Sequence, residues 1–364
     1  MNIGILGSKG FLGSNLALFL KGKHNNFKLF LFSRENNDED LDHLFKNCEI
    51  IFHLIGANRS KDEEEFYISN VLFNTKLKTL IKNSKNLKLL IHASTIHVDR
   101  NDIYGKSKSK AESILEEAFK DIPAKLINIR FPGIFGKNSK PFYNSVVATF
   151  CYQASRNIDL SISNPEHELE LAYIDDVLEY MTSLAFDTSS QLSELQTYKA
   201  TVGYIADTII SFKNHQIAMP NIGNSFVKKL FSTYLTFQEP SQWSKSLKAN
   251  EDKRGKFLEI IKSQSGGQVS LVTANPGETR GIHFHHTKFE RFIVVSGVAK
   301  FTQKSEFNDT YDEQILDSSD FKIIDSIPGY THSIENIGEE EMIALIWTNE
   351  VFDPKKPDTF LINK

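Results

Sequence analysis

The stretch from Asn2 to Gly13, which reads NIGILGSKGFLG, decides the fold of the first part of the chain. A short apolar run is followed at once by three glycines spaced three residues apart, and an amphipathic segment then begins. Glycine permits the tight turn and the close approach of the backbone to a pyrophosphate, and the following helix presents its N-terminal N–H groups. The stretch therefore predicts a dinucleotide site, with a generic strand-to-helix turn as the alternative. The predicted cofactor contacts are Gly7, Gly10, Phe11, Leu12 and Gly13.

Beyond this stretch, short apolar runs alternate with amphipathic segments as far as about Asp187. Strands that alternate with helices indicate βαβ units, so we expect an α/β Rossmann-type, doubly wound parallel sheet. The predicted strands are Asn2–Leu6, Phe27–Phe32, Ile50–Ile55, Leu87–His92 and Lys125–Arg130. The predicted helices include Phe11–Lys21, Glu65–Ser84 and Ser107–Phe119.

The pattern changes after about residue 240, where helical periodicity fades and strand-like runs follow one another. Gly, Pro, Asn and Asp separate these runs, which is typical of an antiparallel barrel or sandwich. We expect two domains, residues 1–243 and 244–364, with the boundary near Trp243. The predicted strands are Phe257–Ile261, Val269–Thr273, Phe292–Val295, Ala299–Phe301, Phe321–Ile324 and Met342–Trp347.

Composition excludes several classes of function. The 364 residues carry a net charge of −4, and the densest basic stretch, Lys106–Lys110, is followed by acidic residues, so nothing favours nucleic-acid binding. The two cysteines, Cys48 and Cys151, form no CxxC pair and suggest neither a disulfide framework nor a thiolate metal site. No apolar run is long enough to span a bilayer, so we expect no membrane partner and a cytoplasmic location.

The end of the second predicted strand indicates which nicotinamide cofactor the chain prefers. NAD-preferring proteins usually place an acid here to bind the ribose 2′-hydroxyl, whereas this chain has Ser33 and Arg34. Because an arginine binds a phosphate with two parallel hydrogen bonds, we predict NADPH. The alternative is that Arg34 only stacks on the adenine.

Tyr104 and Lys108 form a Y-x-x-x-K pattern that predicts a proton donor. Four residues apart on a helix, the two side chains lie on one face. An adjacent ammonium stabilises phenolate, so we expect it to lower the pKa of the phenol and to favour proton donation. Ala93-Ser94-Thr95 ends the preceding strand, where a hydroxyl can hydrogen-bond a substrate carbonyl.

These residues resemble the extended short-chain dehydrogenase/reductase family over about residues 1–240. The resemblance is carried by Gly7, Gly10, Gly13, His53–Ala57, Asn70, Ser94, Thr95, Tyr104, Lys108 and Arg130–Gly133. It implies that Tyr104 is the general acid/base and that Lys108 is its pKa-lowering, ribose-binding partner. It implies that Thr95 polarises the carbonyl, with Ser94 as the alternative, and that the turn Gly56-Ala57 passes under the cofactor.

A histidine-rich stretch in the second half predicts a metal site. From Gly277 to Gly297 the spacing is G-x5-H-x-H-x4-E-x6-G. Strand alternation points two imidazoles to one face, and a short turn can return the carboxylate to it. Three histidines and one carboxylate suit Zn²⁺, Mn²⁺ or Fe²⁺. We predict one divalent metal, with zinc the first choice, on His283, His285, Glu290 and His332.

Two alternatives to this metal set stay open. The histidines could be exposed polar residues of a strand, or the metal could orient the fold without taking part in chemistry. His286 could replace His283 or His285 as a ligand, or line a substrate cavity.

The spacing resembles the two cupin motifs, which implies an all-β cupin barrel. The second motif, Pro328-Gly329-x-x-His332, lacks the glycine usually found before its proline. A reductase joined to a cupin resembles the CapF/WbjC-type bifunctional capsular-polysaccharide enzymes, nearly end to end. Long local matches carry this resemblance, among them Lys140–Tyr152, Asn164–Leu169, Arg254–Phe257, Gly266–Ser270 and Pro357–Thr359.

That resemblance implies a UDP-linked 4-keto-6-deoxy-N-acetylhexosamine as substrate and a homodimer as the assembly. The cupin domain would epimerise C3, and the reductase domain would reduce the C4 ketone with NADPH. The product would be a UDP-N-acetyl-L-talosamine-type precursor of N-acetyl-L-fucosamine. Lys288, His286 and Arg254 are the candidates for moving the C3 proton.

Two other functions remain open at this point. One is an NAD-dependent sugar-nucleotide 4-epimerase or dehydratase with a cupin used only for assembly. The other is a non-catalytic NADPH-binding regulator, although such proteins typically lose the Tyr or the Lys, and this chain keeps both.

Overall fold

The computed structural model describes residues 1–23, 26–59, 62–186, 194–215, 217–263 and 265–362. Contacts divide the chain into two compact units. The first comprises Met1–Ile210 with Lys229–Gln238, and the second comprises Ser211–Lys228 with Glu239–Lys364. The predicted domain boundary near Trp243 stays a prediction. None of the described helices combines the length and the apolarity needed to cross a membrane.

The first unit is built on a parallel sheet in the order β2-β1-β3-β4-β5, which confirms the Rossmann-like class. The strand order reverses between β1 and β3, and ligands of such sheets bind outside the carboxyl ends of the strands at this point. These strands are β1 Asn2–Leu6, β2 Lys28–Phe32, β3 Ile50–His53, β4 Leu89–Thr95 and β5 Lys125–Phe131. Apolar side chains on both faces of the sheet form the cores under the helices.

A smaller sheet, absent from the sequence prediction, adds three strands in the order β6-β7-β8 among the described residues. They are β6 Gly133–Phe135, β7 Glu168–Tyr173 and β8 Tyr198–Thr201. The helices are α1 Phe11–Lys23, α2 Asp38–Asn47, α3 Glu63–Phe66, α4 Phe73–Asn83, α5 Ile103–Phe119, α6 Val146–Ser155, α7 Ile174–Phe186, α8 Val202–Ser211 and α9 Ser225–Leu235.

The helix predicted over residues 65–84 is interrupted. A π-helical turn, Tyr67–Leu72, lies between α3 and α4 and buries Asn70. Such turns are frequent at functional sites, and apolar periodicity does not reveal them because the polar residue occupies a buried position.

Helix α5 begins four residues earlier than predicted, at Ile103. Asp102 caps it by accepting a hydrogen bond from the backbone N–H of Gly105 at 2.7 Å. Gly105 has no room for a side chain, because a Cβ there would overlap the carbonyl oxygen of Arg100. The early start places Tyr104 and Lys108 on the same helix.

The second unit is β-rich, as predicted. Within the described part of the chain its strands form two sheets, in the orders β10-β11-β12-β19-β14-β17 and β16-β15-β18-β13-β20, and β9 also pairs with β11. Apolar residues from both sheets, such as Phe292 and Phe301, form one core between them. The strands are β9 Ala218–Met219, β10 Asn250–Asp252, β11 Gly255–Ser263, β12 Gly267–Ala274, β13 Thr279–Phe284, β14 Glu290–Ser296, β15 Val298–Ser305, β16 Tyr311–Asp317, β17 Ile323–Ser326, β18 Tyr330–Asn336, β19 Met342–Thr348 and β20 Phe360–Leu361.

The start of α5 is testable with a pair of glycine substitutions. Gly105→Ala should lower the free energy of unfolding by about 1–3 kcal/mol, since the added methyl group overlaps backbone that cannot move cheaply. Gly22→Ala on α1 is the matched control, because no described atom outside the backbone of its own helix and its chain neighbours lies within 4 Å of its Cβ position. It should leave the free energy of unfolding unchanged or raise it by up to about 1 kcal/mol. Urea titrations with equal effects for the two variants would contradict this account.

Candidate functional site

The glycine-rich turn after β1 is shaped so that a ligand and the helix α1 can approach its backbone closely. Gly7 has a φ of 89°, and its backbone N–H donates to the carbonyl oxygen of Phe32 at 2.9 Å. A Cβ on Gly13 would overlap the carbonyl oxygen of Gly7, so α1 can pack this tightly only with glycine there. Phe11 opens the helix and Leu12 follows it, with the helix N-terminus at the carboxyl end of the sheet. These features fit a dinucleotide pyrophosphate.

Ser33 and Arg34 lie at the end of the neighbouring strand. Ser33 is buried, and its backbone N–H donates to Asn36 Oδ1 at 2.8 Å. The Arg34 side chain is 90% exposed and pairs with Glu65 at 3.3 Å. Because an exposed ion pair contributes little, the guanidinium can turn to a phosphate at small cost.

Asn70 holds the Gly56-Ala57 turn beside Lys108. Its Oδ1 accepts from the backbone N–H of Ala57 at 3.0 Å, and its Nδ2 donates to Ala57 O at 3.1 Å and to Ser107 Oγ at 3.0 Å. A Cβ on Gly56 would lie 3.0 Å from Asn70 Oδ1 and 3.5 Å from Lys108 Nζ. The resemblance pointed to Asn70 without giving it a role, and its hydrogen bonds now supply a positioning one.

The structure brings Thr95, Tyr104 and Lys108 together. Lys108 is 5% exposed and donates from Nζ to the carbonyl oxygen of Ala93 at 2.9 Å. Burial lowers the pKa of Lys108 to about 8, although Glu112 acts in the opposite direction. The Thr95 hydroxyl interacts with the Tyr104 phenol.

The effect of Lys108 on Tyr104 differs from the expectation. The sequence predicts that the ammonium lowers the pKa of the phenol. In the structure burial raises the pKa of Tyr104, and the hydrogen bond with Thr95 offsets this only in part. The reason is that removal from water disfavours phenolate, while the Lys108 ammonium is engaged by the Ala93 carbonyl.

Ser94 and Thr95 point in opposite directions, as successive residues of a strand do. Ser94 interacts with Glu112, whose carboxylate receives two hydrogen bonds from Arg130, at 3.2 and 2.7 Å. Of the two hydroxyl candidates, Thr95 is the one that interacts with Tyr104.

Two buried histidines, His53 on β3 and His92 on β4, stack near Lys108 with ring centroids 5.0 Å apart. Each ring bonds a buried or half-buried amide, Asn74 or Asn128 respectively, at 2.9 Å. Burial lowers the pKa of both, to about 4 for His53. Both rings are therefore neutral at pH 7 and add no positive charge beside the ammonium.

The four predicted metal ligands also come together. In the described chain, one ligand atom from each of His283, His285, Glu290 and His332 lies within 4.8 Å of the others. Glu290 Oε2 is 3.2 Å from His332 Nε2 and 3.6 Å from His285 Nε2. Ligands of a tetrahedral ion with bonds of about 2.0–2.1 Å stand about 3.4 Å apart, so the set fits a metal.

The protonation of this group also suits a cation. Burial lowers the pKa of His283 to about 4, and His332 adds to the effect. Burial opposes ionisation of Glu290, but the neighbouring His285 and His332 side chains and the Lys288 ammonium hold its pKa well below the usual value. His285 Nε2 is buried and has no hydrogen-bond partner among the described residues. A divalent ion would satisfy it.

Backbone irregularity and pairing aim these side chains. His283 on β13 lies opposite His332 on β18, next to a bulge where Ile282 has a φ of 62°. Such bulges redirect side chains near active sites. Strand alternation alone predicts which residues share a face but not where this bulge falls.

Two further candidate residues, His286 and Lys288, differ in their surroundings. His286 is exposed, lies outside the group and packs against Phe284 and Phe360, with ring centroids 5.4 and 4.6 Å away. Lys288 is buried, with Nζ 3.6 Å from Glu290 Oε1 and 3.1 Å from Thr359 Oγ1.

A cavity of about 280 Å³ opens onto the group. Besides three of the ligands it is lined by Arg254 and Arg280 and by apolar side chains such as Phe257. Arg280 is 12% exposed at its side chain and donates from Nε to Thr273 O at 2.7 Å. Its Nη2 is buried without a hydrogen-bond partner among the described residues, which suits an oxygen of a bound molecule. Arg280 is not among the residues predicted from the sequence, although it stands only three residues before His283.

Comparisons with known proteins cover both units. Residues 3–191 match the NAD dependent epimerase/dehydratase family, and residues 250–360 match the polysaccharide biosynthesis C-terminal domain. A UDP-2-acetamido-2,6-beta-L-arabino-hexul-4-ose reductase from Pseudomonas aeruginosa is 34% identical over 99% of this chain and 98% of that protein.

Solved structures also resemble this chain. The capsular polysaccharide assembling protein CapF from Staphylococcus aureus is 34% identical and superposes with a TM-score of 0.91 over 100% of both chains. A UDP-glucuronic acid 4-epimerase from Bacillus cereus, 16% identical, superposes with a TM-score of 0.55 over 65% of this chain and 98% of that one. At that identity the second match shows the fold alone.

Adjacent histidines offer a matched test of the metal group. His285→Ala removes a ligand and should weaken Zn²⁺ binding by at least about 10-fold, since the three remaining ligands leave a position unfilled. His286→Ala, one residue further and outside the group, should leave the affinity unchanged. Competition with a chromophoric chelator measures both, and equal loss in the two variants would contradict the assignment.

Proposed function

Because the chain belongs to the CapF-type family of two-domain capsular-polysaccharide enzymes, we propose that it is a bifunctional UDP-sugar enzyme. Its substrate is a UDP-linked 4-keto-6-deoxy-N-acetylhexosamine. The second domain epimerises C3 and the first reduces the C4 ketone with NADPH. The product is a UDP-N-acetyl-L-talosamine-type sugar, a precursor of N-acetyl-L-fucosamine for capsule or O-antigen.

One observation supports the proposal: each of the two units brings together its own group of polar side chains suited to catalysis. The Thr95, Tyr104 and Lys108 set stands at the carboxyl edge of a nucleotide-binding sheet. The histidine and Glu290 set opens into a cavity that contains two arginines. A ketone reduction and a proton shift next to that ketone need two such sets.

For the reduction, NADPH supplies a hydride to the ketone carbon when bound. The Thr95 hydroxyl donates a hydrogen bond to the carbonyl oxygen and polarises it. Tyr104 donates its proton to the same oxygen as negative charge develops there. Lys108 keeps its position through the Ala93 carbonyl and binds the ribose.

For the epimerisation, the C3 proton is acidic because the resulting charge spreads to the C4 oxygen. It is removed and returned on the opposite face of the ring. We propose Lys288 as the base, since the resemblance points to it and its side chain is buried, with His286 and Arg254 as the other candidates. The Nη2 of Arg280, which stands 3.8 Å from Asp252 Oδ1 and has no hydrogen-bond partner among the described residues, donates to the developing oxyanion. A zinc ion held by His283, His285, Glu290 and His332 would stabilise the same charge when bound.

We further propose that the two sheets of the second unit form a cupin, since double-sheet jelly rolls of this family hold a metal between their strands. The homodimeric assembly stays a prediction from the resemblance, and the cytoplasmic location stays a prediction from the sequence. The alternatives, an NAD-dependent epimerase or dehydratase and a non-catalytic regulator, differ in a measurable way. Neither would consume NADPH with a 4-keto sugar.

Full-length Tyr104→Phe separates the two activities. It removes the transferable proton and keeps the ring, so NADPH oxidation with the UDP-4-keto sugar should fall by about 10²–10⁴-fold. Deuterium incorporation at C3 from deuterium oxide, read by NMR, should persist. His285→Ala should lose that incorporation and thus serves as the reciprocal control. If Tyr104→Phe turns over normally, or if it also loses exchange, the assignment of one reaction to each domain is wrong.

Cofactor preference is tested at Arg34. Arg34→Ala deletes a charge-assisted phosphate contact worth about 1.5–3 kcal/mol, so the preference for NADPH over NADH in kcat/KM should drop by about 10–100-fold. Arg291→Ala is the control, because it removes another exposed, ion-paired arginine from the second unit. Equal kcat/KM for the two cofactors in the unmodified enzyme would refute NADPH preference.

A further inference from the structure

The turn that carries the metal group depends on the C-terminal segment of the chain. Between His285 and Glu290 the backbone belongs to no strand. The carboxylate of Asp358 accepts three hydrogen bonds from successive backbone N–H groups of this turn. The donors are His286 at 2.9 Å, Thr287 at 2.8 Å and Lys288 at 2.7 Å. The Thr287 hydroxyl donates to the same carboxylate at 3.1 Å. Successive amides that converge on one anion form a nest, so this carboxylate sets the shape of the turn.

Asp358 also orients a metal ligand directly. Its backbone carbonyl oxygen accepts a hydrogen bond from His285 Nδ1. This bond places the proton of the neutral ring on Nδ1 and leaves the lone pair on Nε2. Nε2 is the atom that stands 3.6 Å from Glu290 Oε2. Imidazole ligands of metals are commonly fixed in this way through their second nitrogen.

Thr359 and Leu361, which follow Asp358, also lie against residues of this region. The Thr359 hydroxyl accepts from Lys288 Nζ at 3.1 Å and so restrains the ammonium that lies 3.6 Å from Glu290 Oε1. Strand β20 then pairs with β13, where Leu361 lies opposite His283. Leu361 also lines the cavity.

We infer that Asp358 is a positioning residue of the metal group and that the segment Asp358–Leu361 sets its metal affinity. The carboxylate fixes the turn between two ligands, and the carbonyl fixes the tautomer and direction of one of them. Losing such partners costs about 10–100-fold in metal affinity. The inference rests on the proposed metal site, so the experiment measures binding rather than turnover.

The experiment titrates full-length, metal-free protein with Co²⁺, whose visible absorption reports the ligand geometry. Asp358→Asn keeps the size of the side chain but replaces one acceptor oxygen with a donor that faces backbone N–H groups. It should bind Co²⁺ about 10–100-fold more weakly and with an altered absorption band. Asp353→Asn is the matched control. That exposed carboxylate precedes the segment Asp358–Leu361 in the chain and accepts only from the backbone N–H of Lys355 among the described residues, at 2.9 Å. Its affinity and spectrum should equal those of the unmodified protein.

Thr359→Val replaces Asp358→Asn in the test if melting of the metal-free form shows that the Asp358→Asn protein does not fold. It deletes only the acceptor for Lys288 and should weaken Co²⁺ binding by about 2–10-fold. If the unmodified protein binds no Co²⁺, the proposed metal site itself is wrong. If it binds Co²⁺ and the folded variants bind with unchanged affinity and spectrum, the positioning role is overturned.

Discussion

The hydrogen bond from Lys108 Nζ to the carbonyl oxygen of Ala93 ties α5, the helix that carries Tyr104, to the strand that ends at Thr95. A buried ammonium must keep a partner, because an unpaired one is costly away from water. The requirement holds α5 in one register against β4 and so holds Tyr104 beside Thr95. Asn70 clamps the turn at Gly56 beside the same ammonium, since a Cβ on Gly56 would lie 3.5 Å from Lys108 Nζ.

The side chains of the second site must also be held close together, and here several strands hold them. Three imidazoles and one carboxylate converge where their mutual distances suit a cation, and burial keeps His283 unprotonated. No single element could hold them. The group draws on β13, β14 and β18, and its turn is held by a residue from the far end of the chain, Asp358.

In both units, polar groups thus fix the positions of side chains that apolar packing leaves undetermined. The cores consist of ordinary aliphatic and aromatic side chains. They determine that sheets form and pack. The hydrogen bonds of Lys108, Asn70 and Asp358 determine which side chains meet at the edges of those sheets, because such bonds are directional and hydrophobic contact is not.

The sequence by itself determined the class of each unit, the glycine turn at Gly7 and which three histidines and one glutamate to group together, because these depend on local spacing and periodicity. It also paired Tyr104 with Lys108, four residues apart. Only the tertiary structure decided that burial raises the pKa of Tyr104, that His286 stands outside the group of His283, His285, Glu290 and His332, that Arg280 lines the cavity, and that Asp358 bonds the turn after His285. These outcomes depend on desolvation and on contacts between residues distant in the chain, which no local pattern encodes.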